Sequence, residues 1–341
     1  MSKDVFVFSG LTDEQRAVAD LAAEVLSGAV SDVTAGADVG WFGIGVPEAL
    51  GGSGASLAEL APVVECCGAT GAASAAVWTA GIVQQLLLAA ATPPREIIAA
   101  LAECAATVAL PLTDPESLTR DTGERIRCLA FGAADSDWLV FPVVNGTVLR
   151  LAMLPSGHPA RRSEDVLAVD RSRPYSRHEI EIAAVRPHDM LDVPGLLGLW
   201  RRRKAVVLAL DAVGAAGAAL SKTVEYSRNR HQFGRPIGSF QAYKHRCSDA
   251  RLRLLLAQSI AYRAASDPED DMTCVAAAVE AGPAAVFVCG EAVQLHGGIG
   301  FTWEAGIGAH LKRARADEIG LDLGSAPSSV LGVSGPAAGV R

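Results

Sequence analysis

The stretch Tyr226–Arg246 (YSRNRHQFGRPIGSFQAYKHR) carries several groups that could hold an anionic ligand. Arg228 and Arg230 close a predicted helix, and each guanidinium is a planar fork of donors that suits a pyrophosphate or another bidentate anion. Gly234 and Gly238 would let the backbone pass close to that ligand. Arginines late in a helix also complement its dipole without any ligand, so the residue types leave both interpretations open.

A second stretch, Gln294–Gly300 (QLHGGIG), combines a side-chain amide with closely spaced glycines. Together they could cradle a phosphate or form hydrogen bonds with a ring. Gly297 is explained equally well as the residue that ends a helix. The pattern is not a dinucleotide-binding fingerprint, because no strand is predicted before it and the third glycine of that motif is missing.

Composition excludes several classes of protein. The 341 residues hold 30 Lys and Arg against 38 Asp and Glu, a net charge of −8 that argues against nucleic-acid binding. The seven Cys show no Cys-x-x-Cys spacing, and the seven His show no His-x-x-x-His pair, so neither a disulfide framework nor a metal site is expected. Without the apolar run of a signal peptide or a clear membrane span, the sequence predicts a cytoplasmic protein.

Three regions with different periodicities must position these motifs. Residues 1–106 are predicted to form an N-terminal helical domain, with capping boxes at Thr12–Gln15 and Ser56–Glu59. Residues 194–323 are predicted to form a C-terminal helical bundle that begins with one long helix from Leu196 to Arg230. The tail at 324–341 is rich in Gly, Ser, Pro and Ala and is expected to be disordered.

The intervening residues 107–193 are predicted to form a small, shortened antiparallel β-domain. Short apolar and β-branched runs alternate there with turn residues, and Asn145-Gly146 is the strongest hairpin signal in the chain. The predicted strands are Val108–Leu110, Arg127–Phe131, Trp138–Val144, Thr147–Leu154, Val166–Val169 and Ile180–Val185.

Five segments together resemble a known family. Arg230–Gly234 (RHQFG), Pro236–Gln241 (PIGSFQ) and Gln294–Glu304 (QLHGGIGFTWE) are similar to motifs of the acyl-CoA dehydrogenases. Leu11–Arg16 (LTDEQR) and Val46–Gly54 (VPEALGGSG) resemble that family's opening helix and the loop after it. The resemblance covers nearly the whole chain, and the helical, β, helical order matches the family fold.

The resemblance implies an α+β fold with an N-terminal helical bundle, a small antiparallel β-domain and a C-terminal four-helix bundle. It also implies FAD as cofactor and an acyl-CoA thioester as substrate. In the family, a carboxylate base removes the α-proton of the thioester while the β-hydrogen leaves as a hydride to the flavin. The base and the flavin must therefore lie on opposite faces of one acyl chain, so the protein has to hold all three in a fixed geometry.

The matching motifs imply a set of cofactor-binding residues. By resemblance, these positions reach across a subunit interface to the ADP half of a neighbour's FAD, and the phenylalanine packs against that cofactor. The residues are Arg230, Phe233, Gln241, Gln294, Leu295, His296, Gly297 and Gly298.

The positions of the catalytic base depart from the family. Most members carry a glutamate where this chain has Leu321, and a minority carry it where this chain has Lys204. Asp322 is displaced by one residue, and Asp211 lies two turns from Lys204, roughly 10 Å along the helix. The nearest match to the flavin-ring segment, Leu112–Ser117, lacks its glycine and its Ser-Asp pair. The resemblance therefore implies no catalytic residue in this chain.

This pattern favours the short subunit of a heteromeric acyl-CoA dehydrogenase of the steroid side-chain type. Such a chain would form an α2β2 heterotetramer with a second acyl-CoA dehydrogenase subunit and complete that partner's FAD site. An electron-transfer flavoprotein-type acceptor would reoxidise the flavin. Two alternatives stay open: a self-sufficient enzyme that uses Asp211 or Asp322 as a displaced base, and a scaffold without cofactor.

One charged cluster has no assigned role in the sequence. Arg201–Lys204 lies near the start of a predicted helix, where cations oppose the helix dipole. An acidic partner surface or a coenzyme A phosphate would each explain it. Asp267–Asp271 is predicted to be a solvated loop that caps the following helix.

Overall fold

The computed structural model describes residues 8–27, 32–112, 125–145 and 148–321, and within them the predicted order of helices, sheet and helices is confirmed. The helices are α1 (Asp13–Val25), α2 (Leu57–Thr70), α3 (Ala76–Leu88), α4 (Arg95–Ala102), α5 (Leu196–Asn229), α6 (Gln241–Ser266), α7 (Asp271–His296) and α8 (Ile307–Gly320). The strands are β1 (Val108–Pro111), β2 (Arg125–Phe131), β3 (Trp138–Asn145), β4 (Val148–Pro155), β5 (Arg161–Asp165), β6 (Tyr175–Glu181), β7 (Met190–Leu191), β8 (His231–Gln232) and β9 (Arg235–Pro236). Asp322, the segment 113–117 and the tail 324–341 lie outside the described residues.

Both predicted capping boxes are confirmed. The Thr12 hydroxyl accepts a hydrogen bond from the Gln15 amide while the Gln15 side chain bonds back to Thr12, and Ser56 and Glu59 repeat the arrangement at α2. Leu21 of α1 is 42% exposed, whereas Ala19 and Ala22 of the same helix are buried.

The β-domain is a seven-stranded sheet in the order β5-β6-β2-β1-β3-β4-β7. The described strand pairs of this sheet are antiparallel, as expected, except that β1 and β3 pair in parallel with Val108 opposite Trp138. β2 pairs with one side of β1 and runs in the opposite direction. β3 pairs with the other side of β1 and runs in the same direction as β1. The β3–β4 hairpin is confirmed by the pairing of Asn145 with Val148.

The predicted strand Val166–Val169 is absent from the sheet. The ladder between β5 and β6 ends at Asp165, and the side chains of Leu167 and Val169 are 79% and 75% exposed. An apolar, β-branched run has strand propensity, but here it lies beyond the sheet edge, where it finds no partner strand. The edge strand β5 carries the charged sequence RRSED and was not predicted.

The long helix α5 is the centre of the C-terminal four-helix bundle, and it packs against α2, α6, α7 and α8. Gly68 of α2 and Gly214 of α5 make the crossing of those two helices close. A Cβ at Gly68 would collide with the carbonyl of Asp211, and one at Gly214 would collide with the carbonyl of Glu65. The two helix backbones are therefore in direct contact near the middle of α5.

Within the part of the chain that the structure describes, α5 and the segment Asp271–Phe301, which contains α7, are long and apolar enough to cross a membrane by length and composition alone. The most apolar window of α5 is 94% buried inside the protein, so its apolar character is that of a core helix. The corresponding window of α7 is 56% buried.

Candidate functional site

The predicted anion-binding stretch forms a short hairpin between α5 and α6. Strands β8 and β9 pair His231 with Pro236 and Gln232 with Arg235, which leaves Phe233 and Gly234 as a two-residue turn. Both turn residues have positive φ, +52° for Phe233 and +78° for Gly234, as a type I′ turn requires. For a bulky residue this backbone is strained, at a cost of about 1–3 kcal/mol, and such strain is concentrated at functional sites.

The strained phenylalanine is displayed to solvent. The Phe233 residue is 91% exposed, and its ring meets the Phe240 ring in an edge-on arrangement at a centroid separation of 6.2 Å. It lines a groove of about 370 Å³ together with Leu295 and Arg246. The fold therefore brings together Phe233 and Leu295, two predicted cofactor-binding residues that lie far apart in the sequence.

The other predicted residues extend this surface. Arg230 ends α5 and is exposed, and among the described residues no carboxylate lies within 4.0 Å of its guanidinium. Gln241 is the first residue of α6, and Gln294 lies in the last turn of α7; both are exposed. A Cβ at Gly297 or Gly298 would meet nothing within 4 Å, so their backbone is open to a ligand. We call these residues, with Phe233 and Leu295, the exposed arm.

The side chain of His296, which was also predicted to bind the cofactor, is buried, unlike those of the exposed arm. Its ring is stacked on Tyr226 at a centroid separation of 4.5 Å, and its Nδ1 is 2.7 Å from the carbonyl oxygen of Ala292. Only 8% of the residue is exposed. The ring fixes the end of α7 against α5 and so positions the neighbouring glycines.

Arg246 is the last residue of the predicted anion-binding stretch, and the sequence assigned it no role. Its Nε donates to Glu291 Oε2 at 2.6 Å, which joins α6 to α7 behind the groove. A second groove of about 550 Å³ runs beside it, lined by Ser227, Gly238 and Tyr243 among others. Only the fold could reveal Arg246, because its partner is 45 residues away.

The exposed arm suits the ADP half of a flavin dinucleotide held by another molecule. A pyrophosphate needs hydrogen-bond donors, which an exposed guanidinium without a carboxylate partner and open glycine amides supply. Its nucleoside needs an apolar face, which the exposed aromatic ring supplies. The segment 113–117, which resembles the flavin-ring segment, lies outside the described residues.

The two positions that the resemblance aligns with the family's base hold Lys204 and Leu321, neither of which carries a carboxylate. Lys204 on α5 is 1% exposed and donates from Nζ to the carbonyl oxygen of Leu112 at 3.1 Å. Leu321, at the end of α8, is 4% exposed. A Cβ at Gly320, the residue before Leu321, would meet Leu208 at 2.6 Å and Leu112 at 3.7 Å.

Asp211, the alternative base, is the acceptor of a buried ion-pair network. Arg313 donates to it from Nη2 at 2.6 Å and from Nε at 2.8 Å, and Arg173 donates from Nη1 at 3.0 Å. Burial would raise the pKa of the Asp211 carboxyl, but the two arginines outweigh burial and hold that pKa below its ordinary value. A carboxylate saturated by two guanidinium groups is a poor proton acceptor, which disfavours Asp211 as a base.

Two further aspartates complete this network. Asp170 accepts from Arg173 at 3.0 Å and from the Tyr175 hydroxyl at 2.7 Å. Asp317 Oδ1 is 2.8 Å from Arg173 Nη2, although the two groups are not aligned as a hydrogen bond. Burial raises the pKa of Asp317 well above its ordinary value, Arg173 opposes this, and the negative charge of Asp211 adds to it.

The basic cluster Arg201–Lys204 is explained within the chain. Arg202 pairs with Glu269 at 2.7 Å and with Asp271 at 2.8 Å, and Arg203 pairs with Glu269 at 2.6 Å. The predicted acidic loop therefore neutralises the start of α5, while Asp270 caps α7 as expected. The bonds of Arg202 and Arg203 require neither an acidic partner nor a coenzyme A phosphate.

Comparison with known proteins identifies both helical regions. Residues 15–95 match the family model described as "Acyl-CoA dehydrogenase, N-terminal domain", and residues 202–321 match "Acyl-CoA dehydrogenase, C-terminal domain". The acyl-CoA dehydrogenase IpdE2 of Mycobacterium tuberculosis is 32% identical over 81% of this chain and 77% of its own length.

Solved structures agree on the fold. The ChsE4-ChsE5 complex from Mycobacterium tuberculosis matches with a TM-score of 0.80 at 17% identity, over 96% of this chain and 99% of the matched chain. A variant of the Tcur3481-Tcur3483 steroid ACAD matches with a TM-score of 0.80 at 19% identity, over 94% and 97%. From the identity to IpdE2 and the two family models, the chain belongs to the acyl-CoA dehydrogenase family, a family of FAD-binding enzymes.

Proposed function

We propose that this chain is the non-catalytic subunit of a cytoplasmic heteromeric acyl-CoA dehydrogenase, in which it completes the FAD site of a partner chain. Together the two chains form an α2β2 heterotetramer that desaturates a bulky acyl-CoA, a steroid side-chain thioester. The partner supplies the glutamate base and the pocket for the flavin ring. An electron-transfer flavoprotein-type acceptor removes the electrons.

One observation carries the proposal: the two family base positions are occupied by buried Lys204 and Leu321, while the exposed arm is intact. An ammonium group bound to a carbonyl and a leucine cannot take a proton from a thioester α-carbon.

The exposed arm has the chemistry for its part of the task. Arg230 offers a bidentate donor to a pyrophosphate, and the open amides of Gly297 and Gly298 can donate to the same oxygens. Phe233 presents its ring to the nucleoside. FAD, when bound, supplies the hydride acceptor, and this chain's contribution is to bind and orient it.

The relatives support the heteromeric assembly and the substrate class. Both solved complexes named above contain two differently named chains, and one is called a steroid ACAD. The paired chains and the steroid name belong to those two complexes. We extend them to this chain because it shares their fold.

The test is to produce the chain alone and together with a second family member that carries the glutamate. The expected result is one FAD per pair of unlike chains, measured by flavin absorbance, in a particle with the mass of a heterotetramer, measured by light scattering. Dehydrogenation of the acyl-CoA is expected only in the complex. A homo-oligomer of this chain that holds one FAD per subunit and turns over fully would overturn the proposal.

A further inference from the structure

A separate cavity of about 240 Å³ lies where the end of α2, the segment after β5, and α5 and α8 meet. It shares no lining residue with the two grooves along the exposed arm. Its volume corresponds to roughly eight water molecules at about 30 Å³ each, which is room for a small organic ligand.

Four cationic side chains line this cavity. Arg313 is already paired with Asp211, and the other three are Arg171, Lys222 and Lys312. Among the described residues, none of the three has a carboxylate within 4.0 Å. Asp170, also at the cavity, is already committed to Arg173 and Tyr175. The lining therefore carries an uncompensated positive charge, and cations that face a partly enclosed space are stabilised when an anion enters it.

The ammonium of Lys222 is held by a buried neutral histidine. Its Nζ is 3.0 Å from Nε2 of His310, which is 5% exposed. Burial, together with the charges of Lys222 and Arg313, lowers the pKa of His310 to about 3, so the ring accepts at Nε2 and carries its proton on Nδ1. One ammonium hydrogen is used by this bond, and two remain available for an oxyanion.

Trp303 provides an aromatic wall beside these charges. It is 72% exposed, and the Lys312 ammonium lies 3.8 Å from its ring centroid and the Arg171 guanidinium 5.8 Å. The Lys312 ammonium lies over the ring, and the 72% exposure of Trp303 leaves ring surface on which a planar group can stack.

We propose that this cavity binds an oxyanion, a phosphate or carboxylate group, carried by a small planar body that stacks on Trp303. Lys222 and Arg171 hold the anionic group, and Lys312 adds to the attraction. The proposal is independent of the flavin-completing role, because it rests on residues outside the exposed arm.

The test titrates four probes into the full chain, in the complex in which it is purified. Phenyl phosphate and benzoate combine a ring with an oxyanion, inorganic phosphate lacks the ring, and phenol lacks the charge. Trp303 is the reporter, because the other four tryptophans are buried or half-buried. The expected order of affinity is phenyl phosphate first and phenol last, read by tryptophan fluorescence and by calorimetry. A stronger response to benzoate than to phenyl phosphate would identify the ligand class as carboxylates.

Matched variants locate the binding. Arg171→Gln and Lys222→Gln are each expected to weaken phenyl phosphate at least tenfold with an unchanged melting temperature, since both residues are exposed. Arg95→Gln, an exposed arginine on α4, is the control and should bind as the parent does.

Equal affinity in all three variants, or equal quenching by phenol and phenyl phosphate, would overturn the proposal. A third result would also overturn the proposal: phenyl phosphate does not bind, and the Arg171→Gln and Lys222→Gln complexes lose FAD. The cavity would then belong to the flavin site.

Discussion

Asp211 and Arg313 form a two-pronged ion pair inside the C-terminal bundle, with Nη2–Oδ1 at 2.6 Å and Nε–Oδ2 at 2.8 Å. The side chains of both residues are at most 1% exposed. The guanidinium also donates to the carbonyl oxygen of Ala72 and to the hydroxyl of Ser172. One arginine on α8 thus ties together α5, the end of α2 and the β-domain.

Replacing Asp211 with asparagine should destabilise the protein strongly. The change leaves Arg313 and Arg173 buried with one negative charge fewer, and breaking a buried pair by removing one partner costs about 3–5 kcal/mol. Urea unfolding measures the loss. The control is Asp271→Asn, which removes an exposed pair with Arg202 and should cost less than about 1 kcal/mol. Equal, small losses in both variants would contradict the buried network.

The Asp211→Asn variant also tests the displaced-base alternative. If enough folded complex is recovered, its turnover per bound flavin should equal that of the parent, because two arginines bind Asp211 and hold its pKa low, which makes it a poor proton acceptor. A complex that keeps its flavin and its fold but loses turnover would restore Asp211 as a candidate base.

The close crossing of α2 and α5 predicts an unusual sensitivity to one methyl group. Gly68→Ala should destabilise by about 1–3 kcal/mol or more, because the added Cβ meets the backbone of Asp211 and neither helix can yield locally. Gly290→Ala on α7 is the matched control, since a Cβ there meets nothing within 4 Å. It should be neutral or stabilising by up to about 1 kcal/mol, as alanine is the better helix former. Thermal melts of the two variants should move in opposite directions.

Stability should fall as the pH drops below neutrality, in part through His178. Its ring lies 2.8 Å from the hydroxyls of both Ser163 and Ser176, and burial together with the charge of Arg161 lowers its pKa to about 4. The unfolded chain binds the proton near pH 6.5, so between pH 6.5 and 4 it holds more protons than the folded chain. Stability from this group is complete above that window and declines through it, by at most about 1.4 kcal/mol per pH unit.

Urea midpoints measured at several pH values give this slope. His178→Gln should flatten the slope between pH 6.5 and 4, whereas His188→Gln, at an exposed histidine, should leave it as in the parent. An unchanged slope in the His178 variant would show that this ring is not the group that titrates.

The strained turn predicts opposite effects on stability and cofactor retention. Phe233→Gly removes a bulky residue from a positive φ, so it should stabilise the chain or leave it unchanged, with a gain of at most about 1 kcal/mol. If Phe233 packs on the partner's cofactor, the complex should lose FAD several-fold more readily, measured as released flavin during dilution. Leu167→Ala, at another exposed apolar side chain, should retain FAD as the parent does. Full retention by the Phe233 variant would contradict the assigned role.

Several local features followed from sequence alone, since their causes lie within a few residues of one another. The capping boxes at Thr12 and Ser56, the long α5 and the hairpin around Asn145 are each specified by short-range propensity and turn chemistry. Leu321 and Lys204 could be matched to the family's base positions because these positions are found by counting residues along the chain from the family-like motifs.

Tertiary structure decided everything that depends on which distant segments meet. Val166–Val169 has strand propensity but lies beyond the sheet edge, and β3 lies parallel to β1 because of the route of the chain. Asp211 is neutralised by Arg313, which is 102 residues away. Propensity acts between neighbours in sequence, whereas burial, ion pairing and cavities arise only when folding brings remote side chains out of water together.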